Sequence, residues 1–147
     1  MSPFVFVHLL YPSGVLYARA SYENDEVDGT AEVYYENGQL MEKSTFVAGE
    51  LDGPFEAYHW NGQLWQRRIY AAGEIDGPVK VYYPNGQLRE KSTYEDGRRH
   101  GLSEMYDEKG EVEVLEVAER EGPTAGRMFY CPRCQTNSLS GSGCLCQ

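Results

Sequence analysis

Asn37-Gly38-Gln39-Leu40 returns as Asn61-Gly62-Gln63-Leu64 and again as Asn85-Gly86-Gln87-Leu88, a step of 24 residues each time. Asp28-Gly29, Asp52-Gly53 and Asp76-Gly77 keep the same step, with His100-Gly101 as a further member. Gly49, Gly73 and Gly97 keep it as well. Extending by one period in each direction reaches Ser13-Gly14-Val15-Leu16 and Lys109-Gly110-Glu111-Val112. Several columns in register mark a repeat architecture, in which each unit buries its apolar surface only against its neighbours.

Asn-Gly between alternating apolar and polar runs signals a β-hairpin, because the tightest hairpin turns need positive φ at both central residues. Two-residue loops would set Tyr35 opposite Leu40, Tyr34 opposite Met41 and Glu32 opposite Lys43. The third unit would pair Tyr58 with Trp65 and Glu56 with Arg67, and the fourth would oppose Lys80 to Lys91. Aromatic–apolar and opposite-charge pairs are the stabilising kinds, about 0.2–1 kcal/mol each. Leu16, Leu40, Leu64, Leu88 and Val112 form an apolar row, and Tyr22, Phe46, Tyr70 and Tyr94 an aromatic one. The expected fold is all-β: five stacked 24-residue hairpins in an elongated, twisted antiparallel sheet spanning residues 1–119. Ten strands at about 4.8 Å spacing give a ribbon roughly 45 Å long.

The chain has 147 residues, 12 of them Tyr and 16 Gly, and a formal net charge of -10. Residues 120–147 hold Arg120, Arg127 and Arg133 against Glu121, so the repeat region is the acidic part. An acidic body is repelled by phosphate backbones and anionic lipid, which argues against nucleic acid and membrane as partners. The apolar start, Phe4 to Leu10, has no basic flank and meets Pro12 and Gly14 at once, so it reads as a strand rather than a signal or a span. A cytoplasmic location is the expectation.

Residues 52–64, Asp-Gly-Pro-Phe-Glu-Ala-Tyr-His-Trp-Asn-Gly-Gln-Leu, and 76–91, which open Asp-Gly-Pro-Val-Lys-Val-Tyr-Tyr-Pro-Asn-Gly-Gln-Leu, resemble MORN repeats. They are most similar to the bacterial variant of that repeat, which occurs in proteins designated antitoxins. The resemblance covers about residues 4–119. It implies the hairpin fold and a binding role, as scaffold, lipid-associated module or toxin-neutralising partner.

Beyond it, residues 120–147 form a linker and a tail with all four cysteines, Cys131, Cys134, Cys144 and Cys146. Four thiolates complete a tetrahedral zinc shell, and C-x-x-C is a common half-site, although C-x-C strains the bite. The alternatives are a reduced tail and disulfides, the latter disfavoured in a reducing cytosol. A structural zinc is the one cofactor expected.

No G-x-S-x-G, Walker or metal-hydrolase motif is present, and His8, His59 and His100 fall in different units. No catalytic residue is assigned, and the chain reads as a non-enzyme. The candidate partner-binding residues are Tyr58, His59, Trp60, Trp65, Arg67 and Arg68, which crowd one turn, because Trp, Tyr and Arg dominate interface hot spots. Asp52, Glu74 and Asp76, from the acidic loops, would steer a partner's approach. The expected role is an antitoxin or immunity protein that binds a toxin. The alternatives are a structural MORN scaffold associating with itself or lipid, and a zinc-dependent nucleic-acid binder. Native mass spectrometry of protein purified without chelator tests the tail: one zinc is expected. Apo protein with four alkylatable thiols after zinc supplementation would reject the site.

Overall fold

The computed structural model describes residues 4–118, together with two short strands at 129–131 and 136–138. The boundary near residue 119 and the four-cysteine zinc assignment lie outside the described residues. The strands are β1 (Val5–Leu10), β2 (Leu16–Glu23), β3 (Glu26–Tyr34), β4 (Leu40–Val47), β5 (Glu50–Leu51), β6 (Gly53–Tyr58) and β7 (Leu64–Ala71). They continue with β8 (Glu74–Ile75), β9 (Gly77–Tyr82), β10 (Leu88–Glu95), β11 (Arg98–Tyr106), β12 (Val112–Ala118), β13 (Phe129–Cys131) and β14 (Thr136–Ser138). The first twelve form one open antiparallel sheet along the path β1-β2-β3-β4-β6-β7-β9-β10-β11-β12, with β5 on β4 and β8 on β7, while β13 and β14 pair separately. No described residue is helical.

The Asn-Gly turns are built differently from the two-residue expectation. Gly38 N–H donates to Tyr35 O at 2.9 Å, and Tyr35 N–H to Gln39 O at 2.8 Å. Gly38 has φ 85, whereas Asn37 is not among the positive-φ residues. This is a type I turn closed by a glycine in the left-handed region, with a three-residue loop of Glu36, Asn37 and Gly38. The same bonds recur at Gly62 to His59 and Gly86 to Tyr83. Tyr34 consequently pairs with Leu40 rather than Met41, and Tyr58 with Leu64 rather than Trp65. Met41 and Trp65 then become one-residue bulges, and the bulge restores the register that the longer loop had shifted. Glu32 therefore still meets Lys43, Glu56 meets Arg67, and Lys80 meets Lys91.

Two-residue turns with both central φ positive occur at the opposite edge of the sheet. Asn24 and Asp25 have φ 52 and 65, Ala48 and Gly49 have 47 and 81, and Ala72 and Gly73 have 47 and 83. Beyond these turns the incoming strand carries extra residues: Ser21 stands opposite Asp28-Gly29-Thr30 and Ser92 opposite Gly101-Leu102-Ser103.

Successive units are tied at both edges. At the Asn-Gly edge, hydroxyls of Tyr11, Tyr35 and Tyr83 donate to the carbonyls of Tyr34, Tyr58 and Tyr106 at 2.8, 2.8 and 2.9 Å. Asn37 Nδ2 donates to Trp60 O at 3.1 Å and Asn61 Nδ2 to Pro84 O at 3.2 Å. The same asparagines accept from Gln39 and Gln63 N–H through Oδ1, both at 3.0 Å. Asparagine is the residue that does both, since its amide is donor and acceptor at once. At the other edge the ties start from backbone N–H groups: Gly49 to Val27 O, Gly73 to Leu51 O and Gly97 to Ile75 O, at 2.8–2.9 Å, and Ala48 to Asp28 Oδ2 at 3.0 Å.

The sheet has little interior. Ala57 and Val79 are the buried apolar residues, at 5% and 7% exposure, alongside buried Ser44, Gln66, Ser92 and Ser103. All lie on one face by the strand alternation, which we call the inner face; it also carries Phe46, Phe55, Tyr70 and Tyr94. The outer face carries a transverse charged row: Arg19, Glu32, Lys43, Glu56, Arg67, Lys80, Lys91 and Glu104 on consecutive path strands.

Ala72 sits in a left-handed conformation that costs an L-residue roughly 1–2 kcal/mol. Ala72→Asn should raise stability by about 0.5–1 kcal/mol in urea melts, since Asn-Gly suits this turn. Asn61→Asp should cost less than Asn61→Ala, because aspartate keeps the bond from Gln63 N–H and loses only the donor to Pro84; each bond is worth about 0.5–1.5 kcal/mol. Equal losses for the two variants would show that the bond from Gln63 N–H contributes nothing, and no loss for Asn61→Asp would show the same of the tie to Pro84.

Candidate functional site

Among the described residues, the third unit departs furthest from its neighbours. Trp60 occupies the second residue of the turn His59–Gly62, where Pro12 and Pro84 stand in other units. That position favours Pro and tolerates most residues, so the backbone has no need of an indole there. Trp60 is 71% exposed and only its carbonyl is engaged, by Asn37. Trp65, the bulge residue, is 42% exposed, and its ring lies 5.9 Å from that of His59. The same clasp joins Tyr17 to Tyr11 and Arg89 to Tyr83 in other units. His59 fills a tyrosine position, and its Nε2 reaches Tyr82 O at 3.2 Å, so it works as a tie between units as well as a neighbour of Trp65.

Tyr58, Arg67 and Arg68 do not join the tryptophans as one patch. Arg67 and Arg68 are adjacent on β7 and project to opposite faces. On the outer face Arg67 Nε lies 3.4 Å from Glu56 Oε1, and the Tyr58 hydroxyl donates to Glu56 Oε2 at 2.8 Å. Burial first, then the Glu56 carboxylate, pushes the Tyr58 phenol up to about 12, so it stays a donor at any physiological pH. Tyr34 with Glu32 and Tyr106 with Glu104 repeat the pair, at 2.7 and 2.8 Å. In this column Lys80 replaces glutamate; no carboxylate within ion-pair distance of it is found among the described residues.

On the inner face the Arg68 guanidinium lies over the Phe55 ring at 5.7 Å and donates to Gln66 Oε1 and, at 3.4 Å, to the Tyr70 hydroxyl. Its partners are all neutral. Elsewhere in this column stand Ala20, Ser44, Ser92 and Glu116. The Phe55–Tyr70 pair, with centroids 6.0 Å apart, forms the platform on which the guanidinium rests. Sequence reasoning named Arg68 but missed Gln66, which the period-two alternation from Arg68 would have pointed to, and Phe55, which stands opposite Arg68 once Glu56 faces Arg67.

Asp52, Glu74 and Asp76 are exposed at the opposite long edge. The backbone N–H of Asp52 and Asp76 donate to Thr45 O and Ile69 O at 2.9 Å, leaving the carboxylates at the surface. About six residues of β6 separate this edge from the Trp60 turn, roughly 20 Å. A partner touching both must span the width of the sheet.

Two further carboxylates of the inner face contrast sharply. Glu90 meets Arg99, which also bridges to Glu116, at 3.2 and 3.3 Å. Glu42 has no such partner, and burial pushes its pKa up. Because the folded value lies above the unfolded one, Glu42 lowers stability when ionised. This cost is absent below the ordinary glutamate range of about 4.3 and grows as pH rises through the elevated folded value. Glu42→Gln, the residue found one unit on at Gln66, should therefore melt higher than wild type at neutral pH. The gap should close as pH falls toward 4, about where the carboxyl is protonated in both states. A gap independent of pH would assign the effect to packing.

Among the described residues no group of three or more His, Cys, Asp or Glu side chains is placed to hold a metal ion, and no helix is long and apolar enough to cross a membrane. No curated protein matches the chain. A family model described as a MORN repeat variant matches residues 27–48 and 75–96. The two matches start 48 residues apart, twice the repeat, at the same phase of β3–β4 and β8–β10.

Proposed function

We propose that the chain is a protein-binding repeat module that occludes a partner protein, in the manner of an antitoxin or immunity protein. The observation that carries this reading is Trp60, which is 71% exposed on a turn position that needs no large side chain. Beside it lies the half-exposed Trp65, and further along the sheet, apart from the tryptophans, the inner face carries Arg68 with only neutral partners. Aromatic side chains held on a rigid backbone lose little entropy on contact, and together with arginine they dominate interface energies. A repeat family with this fold also serves as scaffold and as lipid-associated module. The acidic charge of -10 supports a protein partner over an anionic membrane.

The acidic edge acts on approach rather than on the bound state. Surface carboxylates about 20 Å from the tryptophans shape the field a basic partner meets, and salt screens that field over about 10 Å.

The experiment pairs capture with function. The product of the adjacent reading frame is expressed with and without this chain; growth arrest by that product alone and relief by this chain support the reading. In binding kinetics, Trp60→Ala with Trp65→Ala should weaken affinity by about 2 kcal/mol or more, mainly through faster dissociation. Neutralising Asp52, Glu74 and Asp76 should slow association and flatten its salt dependence, with dissociation nearly unchanged. A folded double tryptophan variant that binds and rescues as wild type would move the interface elsewhere. Sedimentation with anionic liposomes, without a protein partner, would replace this reading by the lipid-associated one.

A further inference from the structure

The path of the sheet has two ends, β1 and β12, and they are built differently. Strand β1 reads Val5-Phe6-Val7-His8-Leu9-Leu10, and every one of its residues is exposed, with Phe6 at 72% and Leu10 at 62%. Of the ten strands on the path it alone carries no Asp, Glu, Lys or Arg. Soluble proteins protect an edge strand with charge, proline or a bulge, because its unpaired N–H and C=O groups template further pairing. Strand β1 holds no proline, and the irregularity beside it falls on β2, between Leu16 and Ala18.

Strand β12, in contrast, carries Glu113 and Glu116. The ties between units also stop there. Asp107 and Lys109 occupy the positions from which Tyr83 and Asn85 donate to the next unit. Asp107 Oδ1 instead accepts from Lys109 and Glu111 N–H within its own turn, at 2.8 and 2.9 Å. At the β1 end, Leu10 stands at the acceptor position that Tyr34 fills for Tyr11. One end of the repeat is closed and the other is left ready to accept.

We propose that β1 pairs with β1 of a second copy of this chain, antiparallel about a two-fold axis, and joins two sheets into one. With Val7 on the axis, Val5 meets the partner's Leu9 on one face and Phe6 meets the partner's His8 on the other. No charge opposes a like charge in this register, as sheet pairing requires. The pairing continues the antiparallel order that already runs through the whole path. It is self-complementary, so it closes at two copies; a head-to-tail contact of β1 on β12 would set an apolar strand against Glu113, lack the donors of the last unit, and propagate without end. Joining the ribbons end to end also keeps the acidic edges mostly more than a Debye length, about 10 Å, from one another.

Light scattering of the full chain alone, from low to high micromolar concentration, decides this independently of any partner protein. Wild type should reach twice 16.7 kDa and no more. Phe6→Lys should raise the dimer dissociation constant by about tenfold or more, since lysine protects an edge strand from pairing. Val117→Lys on β12 should leave it unchanged. Circular dichroism confirms that both variants fold. As a second readout, amide exchange in β1 should slow as wild-type concentration rises, while that in β12 stays constant. A wild-type mass that stays at one chain, a mass that climbs past two chains, or a dimer that survives Phe6→Lys but not Val117→Lys would overturn the proposal.

Discussion

A sheet with no second layer cannot bury both faces, so it must hold together along its own length. That constraint organises the described residues. Only Ala57 and Val79 are buried apolar side chains, and serines fill several of the remaining buried positions. Apolar burial of this extent leaves much of the cohesion to contacts between consecutive strands and to the ties at the two edges. The Asn-Gly-Gln motif follows from the same need. Glycine permits the left-handed turn residue, and asparagine reaches the next turn. Gln63 in turn lies over the next glycine, where an added methyl at Gly86 would come within 3.5 Å of its Oε1.

The outer face shows how a charged row can be tolerated on a thin sheet. Each carboxylate of the column accepts from a tyrosine two residues on and faces a cation on the neighbouring strand. Burial alone would raise Glu32, but the bonds from Arg19 and Tyr34, with Lys43 nearby, draw its pKa below the usual value. Its contribution to stability is therefore present above the unfolded pKa and is lost as pH falls through the depressed one. Lys80 breaks the pattern and faces Lys91 directly. Glu42, on the other face, shows the reverse case of burial without a partner.

The 24-residue columns locate every turn at the Asn-Gly edge and the pairing of Glu32 with Lys43 and Glu56 with Arg67. They do so although a two-residue loop is one residue shorter than the observed one, because the bulges at Met41 and Trp65 cancel the difference. A period of 24 constrains only the total, so turn type and bulge can trade a residue without trace. The second role of asparagine was hidden for a related reason: its donor reaches another unit, and spacing within a unit carries no sign of it. In the candidate site, the exposure of Trp60 was readable from its proline equivalents at 12 and 84. The separation of Arg67 from Arg68 was also readable, from strand alternation. The nearness of Phe55 to Arg68 was readable too, since pairing Glu56 with Arg67 sets the two opposite each other; the stacking of the guanidinium on the ring was not.

The edge ties have a further property. At the Asn-Gly edge each one ends on a backbone carbonyl, that of Tyr34, Tyr58, Trp60, Tyr82, Pro84, Tyr106 or Glu108, rather than on a side chain of the receiving unit. The receiving residue is thus free in identity. Glutamate, tryptophan and proline all occur at the same turn position, Glu36, Trp60 and Pro84, while the stack above and below persists. Structure and recognition are thereby decoupled along this edge. A lineage carrying such a ribbon can rewrite one exposed row, residue by residue, while the scaffold itself is inherited intact.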